Sequence, residues 1–144
     1  MPNEDILGKV MTSPVKTINA SDTVGTAAET MVKNEIGAVI VVDGKNPVGI
    51  ITERDIVKQV VRATDALKKP VKQQLSKPIV TGRSNTTIQE AFETMLKNKI
   101  RRLPVVDDGK LVGIVTEKDL MRWVLRVSYE PNIPPHIKAV LDSH

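Results

Sequence analysis

The chain has 144 residues, of which 40% are apolar and 26% are charged, the balance of a soluble protein made of one ordinary domain or two very small ones. The absence of cysteine excludes disulfides, thiolate metal sites and cysteine nucleophiles, and a formal net charge of +4 favours anionic partners. The N-terminus lacks the features of a signal peptide, and the longest near-unbroken apolar run, residues 36–42, is far shorter than the roughly 20 residues that span a bilayer. We therefore expect a cytoplasmic protein with no membrane partner.

A tandem duplication organises the sequence. When the chain is shifted by about 64 residues, Val10–Val60 aligns with Gln74–Val124 without a gap, and roughly 19 of about 50 positions are identical. Val48–Asp55 and Val112–Asp119, for example, share the pattern Val-Gly-Ile-x-Thr-Glu-x-Asp. The chain therefore contains two copies of one unit, the first and the second repeat.

Each repeat is predicted to begin with a strand and a helix. Because proline suits the first residue of a strand, short strands are expected at Pro14–Thr17 and Pro78–Thr81. Ser21–Thr23 and Asn85–Thr87 supply N-cap candidates for the helix that follows. Apolar residues then recur at i, i+3, i+4, i+7 and i+8, which gives one stripe that faces a core. They are Val24, Ala27, Ala28, Met31 and Val32 in the first repeat, and Ile88, Ala91, Phe92, Met95 and Leu96 in the second.

A hairpin and a second helix complete each repeat. In the first repeat, the β-branched runs Ala38–Val42 and Val48–Ile51 flank an Asp-Gly turn, and Leu103–Val106 and Leu111–Val115 do the same in the second. These runs do not alternate in polarity, which indicates strands that are buried on both faces. The second helix is expected directly after the threonine that ends each hairpin.

The predicted fold is of the α+β class. A single strand–helix–hairpin–helix unit would hardly bury its sheet and helices alone, so we expect the two units to pack as an intramolecular pseudo-twofold pair. We place the first domain at residues 6–64, the second at residues 70–128 and a C-terminal tail at residues 129–144. Thr64–Pro70 is expected to be a short polar connection. The tail is either a flexible end or a helix that docks on a second subunit.

These segments carry a family resemblance. Val10–Val15, Ile36–Asp43 and Val48–Ile56 together look like a cystathionine-β-synthase (CBS) domain, and Ile100–Asp107 with Val112–Asp119 look like a second one. The resemblance implies a regulatory module, not an enzyme, that binds an adenosine-containing ligand such as AMP, ADP or ATP in a cleft between the two domains. It further implies a homodimer, no other cofactor, and a regulated target that is a separate, unknown protein.

The motif Gly-Ile-x-Thr-x-x-Asp occurs once in each repeat, where the hairpin gives way to a helix. Thr-x-x-Asp at such a junction is typical of a capping box, which satisfies free amides of the first helical turn. The same helix start offers a positive dipole end and a carboxylate that can accept hydrogen bonds from a ribose diol. By the resemblance, the aspartates hold ribose hydroxyls, and the threonines contact ribose or phosphate. The residues concerned are Thr52, Asp55, Thr116 and Asp119.

Basic residues distinguish the second repeat from the first. Arg101 and Arg102 precede its hairpin, at the positions of Gly37 and Ala38. Two adjacent arginines are normally a solvated face, but the resemblance implies that basic residues here neutralise phosphate, a role that suits the planar guanidinium. Lys118 is a further candidate of this kind. We therefore expect two unequal ligand sites.

The adenine base needs a flat apolar slot, and with one Phe, one Trp and one Tyr in the chain the slot must be aliphatic. By the resemblance, the ligand site is lined by Val15, Ile40, Ile79 and Pro104, together with Thr17. Ordinary core packing is the alternative role for each of the apolar residues.

Two further questions stay open at the level of sequence. The basic balance keeps nucleic-acid binding or a protein-interaction scaffold as an alternative function, although the chain has too few aromatic residues for base stacking. Trp123 stands where the first repeat has Gln59, and an aromatic residue at that position favours a homodimer interface through the second helices. Packing of Trp123 against the tail is the alternative.

Overall fold

The computed structural model describes residues 5–75 and 78–129, together with Pro135 and Ala139. The helices and strands of this part are β1 (Thr17–Asn19), α1 (Val24–Asn34), β2 (Ala38–Asp43), β3 (Asn46–Thr52), α2 (Glu53–Arg62), α3 (Ile88–Asn98), β4 (Arg102–Asp107), β5 (Lys110–Thr116) and α4 (Glu117–Tyr129). Single turns of 3-10 helix lie at Leu7–Lys9, Ala66–Lys68 and Val71–Gln74. No helix among these residues is long and apolar enough to cross a bilayer. Most of the predicted tail lies outside the described residues.

The chain divides into two compact units. Among the described residues, the first-repeat unit contains residues 14–75, 78–80 and 107–111, and the second-repeat unit contains residues 5–13, 81–106 and 112–129. The α+β class and the order of helix, hairpin and helix are confirmed in both repeats. The units differ from the predicted domain bounds in two ways. Residues 6–13 belong with the second repeat, and residues 70–75, 78–80 and 107–111 belong with the first.

The first-repeat unit is built on a sheet of order β1-β2-β3, with β1 parallel and β3 antiparallel to β2. Val39, Val41 and Ile51 of this sheet belong to the apolar core. That core also contains Val24, Ala27 and Met31 of α1 and Ile56 of α2. Ile40 lies between the two core valines and is fully buried as well. Because side chains alternate along a strand, β2 is buried on both faces, as its unbroken apolar run predicts.

The second-repeat unit contains the two-stranded sheet β4-β5 with α3 and α4. The strand predicted at Pro78–Thr81 is wrong, because the structure has only a single parallel bridge, between Gly82 and Val105. Gly82 stands where the first repeat has Ile18. A Cβ on Gly82 would lie 3.0 Å from side-chain atoms of Leu103 and of Leu7. Glycine weakens a strand, and here close packing requires it, so the strand shrinks to one bridge.

Two short segments of the chain are exchanged between the repeats. The N-terminal docking segment (residues 5–12) pairs with the second repeat, where the Leu7 amide donates to the Thr86 carbonyl over 2.9 Å. The linker docking segment (residues 69–75) pairs with the first repeat, where the Val71 amide donates to the Asp22 carbonyl over 2.7 Å. Leu7 and Val71 are equivalent by the repeat, and both are fully buried. The connection predicted to be merely polar therefore holds a 3-10 turn and part of a docked segment.

Candidate functional site

The start of α2 is a complete capping box. Thr52 is the N-cap, and its Oγ1 accepts a hydrogen bond from the Asp55 amide over 3.2 Å. The Thr52 amide and hydroxyl both donate to Oδ2 of Asp55 over 2.9 Å. Within the described part of the chain, no group donates to Oδ1 of Asp55. The predicted capping role is confirmed, and it leaves one carboxylate oxygen for another partner.

The start of α4 repeats this box and adds a guanidinium. The Thr116 amide donates to Oδ2 of Asp119 over 2.9 Å, and the Asp119 amide donates to the Thr116 hydroxyl over 3.1 Å. Nη1 of Arg122 lies 3.9 Å from Oδ1 of Asp119, and the two side chains are 23% and 22% exposed. Arg122 stands at the repeat position of Lys58, which is exposed. The two aspartates therefore share one cap but differ in their electrostatic surroundings.

The backbone brings the basic pair to the start of α4. The Glu117 amide, the first of the helix, donates to the Arg101 carbonyl over 2.9 Å. Arg101 is exposed, and Arg102 is half-buried at the start of β4. Lys118 is exposed in the first turn of α4 and interacts with another group of the chain. The backbone thus places Arg101 beside the start of α4, with Arg102 next in the chain and Lys118 in the first turn of the helix.

Of the residues predicted to line the ligand site in the first repeat, Thr17 and Ile40 lie on the sheet, and Val15 precedes it. Thr17 pairs with Ile40 across β1 and β2, and Ala38, two residues earlier, pairs with Thr52. Because residues two apart share a strand face, Ile40 and Ala38 lie on one face, which is the face away from the core valines. Val15, just before β1, is half-buried.

In the second repeat, Pro104 stands at the position of Ile40 and is buried likewise, and Ile79 is half-buried. Roles for these residues in binding the base stay predictions. No group of His, Cys, Asp or Glu that could hold a metal occurs in the part of the chain that the structure describes.

The docking segments explain the glycine of the repeated motif, which the sequence alone does not. A Cβ on Gly49 would lie 2.8 Å from Cδ1 of Leu75, and a Cβ on Gly113 would lie 2.5 Å from the sulfur of Met11. Leu75 and Met11 are equivalent by the repeat and lie in the two docking segments. The glycine therefore makes room for a docked side chain, and only the threonine and the aspartate of the motif remain as ligand candidates.

Trp123 is used inside the chain. Its indole N–H donates to Oδ2 of Asp5 over 2.9 Å, and the Lys9 ammonium lies 3.3 Å from Oδ1 of the same carboxylate. The Trp123 hydrogen bond, followed by that of Lys9, lowers the pKa of Asp5 below its usual value of 3.8. The indole thus ties the N-terminal docking segment to α4. Neither the predicted dimer interface nor packing against the tail is needed to explain this tryptophan.

Comparison with known proteins agrees with this architecture. A sequence model of the CBS domain matches residues 5–62 and 71–126. The CBS domain-containing protein YhcV of Bacillus subtilis is 36% identical over 110 residues, which are 76% of this chain and 79% of that protein. The CBS-domain match includes residues 5–12 and 71–75 of the docking segments as well as the helices and strands.

Solved structures are similar as well. The CBS-domain containing protein ATU1752 from Agrobacterium tumefaciens has a TM-score of 0.75 at 29% identity, and the match covers 84% of this chain and 94% of that one. The CBS domain pair of protein MJ0100, crystallised with 5′-methylthioadenosine and S-adenosyl-L-methionine, has a TM-score of 0.73 at 28% identity, with 83% and 94% covered. That second protein binds two adenosine-containing molecules.

Proposed function

We propose, from the premise that this chain belongs to the CBS-domain family as a tandem pair, that it is a regulatory module that binds an adenine nucleotide and passes the signal to a separate protein. The adenosine ligands of the MJ0100 pair support the ligand class. AMP, ADP and ATP are the candidates, and the chain itself carries out no reaction in this proposal. The absence of cysteine supports a place in the reducing cytoplasm.

The observation that carries this proposal is the grouping at the start of α4. The Asp119 carboxylate sits on the first helical turn, which is the positive end of the helix dipole. A ribose diol donates to such a carboxylate, and the phosphate of the same nucleotide needs cations within reach. Arg101 lies beside this turn through its carbonyl bond to Glu117, and Arg102 follows it. One helix start thus offers both kinds of group that a nucleotide requires.

The test is Asp119→Asn, with nucleotide affinity measured by titration calorimetry. The amide oxygen of asparagine still caps the helix, but the charged acceptor for the ribose is lost. Hydrogen bonds to a charged group contribute about 1.5–3 kcal/mol, so AMP affinity should fall roughly ten- to a hundredfold while the unfolding midpoint changes little.

Asp55→Asn is the matched control, because it alters the same box where no arginine pair is present, and its effect on AMP should be smaller. An unchanged AMP affinity for Asp119→Asn would make Asp119 a cap and nothing more, and the site assignment would fail.

Family membership also supports a homodimer. The apolar side chains that α3 and α4 expose are Leu96, Met121 and Val127, which are 78%, 46% and 39% exposed. Helices α3 and α4 pack together, and in this proposal their exposed apolar residues contribute to a twofold contact. Light scattering should show a dimer at micromolar concentration and a monomer for Met121→Glu. A monomeric unmodified chain would contradict the dimer.

A further inference from the structure

The N-terminal docking segment contacts both elements that meet at the start of α4. On β5, the Thr12 amide donates to the Ile114 carbonyl over 2.9 Å, and the Ile114 amide donates back to the Thr12 carbonyl over 3.1 Å. Ile114 lies two residues before Thr116, whose hydroxyl accepts from the Asp119 amide. The segment therefore holds the end of the strand that leads into the candidate nucleotide site.

The same segment is bonded to α4 one turn beyond the site. Trp123 follows Asp119 by four residues, so the two lie on one helix face, about 6 Å apart along the axis. The Trp123 indole donates to Oδ2 of Asp5 over 2.9 Å. The backbone carbonyl of Asp5 accepts from the Ile88 amide at the start of α3, over 2.7 Å. One residue of the segment thus links the beginning of α3 to the helix that carries Asp119.

Between these two ends, the segment is anchored by a single fully buried side chain, that of Leu7. The Leu7 amide donates to the Thr86 carbonyl over 2.9 Å, and the Gly8 amide donates to the Ser84 carbonyl over 2.8 Å. Release of the segment breaks only these contacts and the ones at its two ends. It should therefore require less free energy than unfolding of the whole second-repeat unit, because local opening exposes less buried surface.

Segment docking and nucleotide binding depend on the same junction of β5 and α4. A nucleotide at α4 needs the Thr116 hydroxyl and the Asp119 carboxylate in one fixed arrangement, and the docked segment holds the strand on one side of it and the helix on the other. A ligand that binds the docked state more tightly than the undocked state increases the docked population, and the effect is reciprocal.

We infer that the N-terminal docking segment positions the nucleotide site of the second repeat, so that segment docking and nucleotide binding favour each other. This inference rests on the proposed function, because it names the part of the chain that responds to the nucleotide. Residues 13–16 join the segment to β1, so the part that responds is connected directly to the first repeat.

The test is hydrogen exchange of the full chain without nucleotide and with saturating AMP, then with ADP and ATP in turn. The reporting amides are those of Leu7, Gly8 and Thr12, whose hydrogen bonds to the second repeat exist only when the segment is docked. In the free chain, they should exchange faster than the amide of Ala91, a fully buried residue of α3. A saturating nucleotide should slow their exchange about tenfold.

Two results of this experiment overturn the inference. If a nucleotide binds but the segment amides exchange at an unchanged rate, the undocked chain binds the nucleotide equally well, and docking does not position the site. If the segment amides exchange at the rate of the Ala91 amide in the free chain, the segment has no docking equilibrium of its own.

Leu7→Ser gives the reciprocal measurement. It removes the buried anchor and changes no residue of the nucleotide site, so AMP affinity in calorimetry should fall by the factor with which AMP slows exchange, about tenfold. Val71→Ser, at the equivalent position of the linker docking segment, is the matched control and should leave AMP affinity unaltered, because that segment docks on the first repeat. An unaltered AMP affinity in a folded Leu7→Ser chain whose segment amides exchange freely contradicts the inference.

Trp123→Phe covers the case in which Leu7→Ser does not fold. It removes only the indole donor to Asp5, so the segment amides should exchange several-fold faster while the Ala91 amide is unchanged. An equal change at Ala91 would contradict a separate docking equilibrium. Calorimetry of the unmodified chain separates the two proposals. If no nucleotide binds, the proposed function fails and this inference fails with it, whereas binding without slowed segment exchange removes only the positioning role.

Discussion

The starts of α2 and α4 have the same hydrogen-bonded cap but different neighbours. Both boxes join a threonine hydroxyl and an aspartate carboxylate through the same pair of backbone contacts. Beside the first cap the Gly37 carbonyl accepts from the Glu53 amide, and beside the second the Arg101 carbonyl accepts from the Glu117 amide. Ala38 and Arg102 are the next residues in the chain. The comparison teaches that the motif itself secures a helix start, while the residues next to it give the two starts different charge.

The second difference concerns how each docking segment is tied to its helix. On α4, the Trp123 indole donates to the Asp5 carboxylate. In the first repeat, Gln59 stands at the position of Trp123, and Lys69 stands at the position of Asp5. Here the lysine would have to donate a hydrogen bond to the side-chain oxygen of the glutamine. This hydrogen bond is not formed. Oε1 of Gln59 is buried without a hydrogen-bond partner, and the Lys69 ammonium lies 3.9 Å from Asp65 instead. Trp123 therefore links the N-terminal docking segment to α4, whereas Gln59 makes no hydrogen bond to the linker docking segment.

The largest expected effect tests the docking segments. Leu7→Ala should lower the free energy of unfolding by about 2–5 kcal/mol, because the side chain is fully buried and its removal leaves a cavity. Val71→Ala removes two side-chain carbons at the equivalent site, where Leu7→Ala removes three, so its cost should be smaller by about 1 kcal/mol. Urea unfolding measures both. A neutral Leu7→Ala would mean that the N-terminal segment does not dock on the second repeat.

The arginine pair gives the next largest effect. Arg102→Ala should weaken AMP by about 1.5–3 kcal/mol and adenosine by close to nothing, because only AMP presents an anion to the lost guanidinium. Calorimetry with both ligands measures the difference. Lys33→Ala, an exposed cation of α1, is the control. Equal losses for AMP and adenosine would remove the phosphate role of Arg102.

A smaller effect is expected at Gln59, whose buried oxygen has no donor. Gln59→Leu should raise the stability of the chain by about 1 kcal/mol, because it removes a buried acceptor that has no donor. Trp123→Leu at the equivalent position should lower stability, because Asp5 loses its indole donor. Thermal unfolding of the two variants measures both signs. Destabilisation by Gln59→Leu would show that its amide is satisfied in solution.

The smallest effect depends on pH. The indole of Trp123, and then Lys9, depress the pKa of Asp5 in the folded chain below 3.8. The stability this provides is present above the unfolded pKa and is lost as pH falls through the lower, folded value. The melting temperatures of the unmodified chain and Trp123→Phe should therefore converge partly below about pH 3.9. A difference that does not change with pH would assign the Trp123 effect to packing alone.

Much of this fold follows from local patterns in the sequence. The N-caps Thr23 and Thr87, the hairpin strands and the threonine caps of the second helices are all confirmed, because each depends on residues close in sequence. The candidate cap residues were predictable for the same reason. Their binding roles rest on the family resemblance and stay predictions.

The rest depends on contacts that are distant in sequence. Residues 5–12 have no strand or helix periodicity, so nothing local indicates that they pair with Thr86 and Ile88. The repeat held one clue, since Leu7 and Met11 align with Val71 and Leu75. Leu7 of this segment packs against Gly82, where a larger residue would not fit. Asp5 of the same segment accepts the hydrogen bond of Trp123.

The exchanged segments also constrain how the chain can fold. The second-repeat unit closes only when residues 5–12 reach across the entire first repeat, and closing so long a loop costs entropy before any contact forms. Contacts of such wide sequence separation favour slow folding. Loss of residues 5–12 would remove the buried Leu7 and the acceptor of the Ile88 amide at the start of α3, which lies far along the chain. It would leave the first repeat with its own docking segment. Substitutions in residues 5–12 should therefore destabilise the second repeat more than the first.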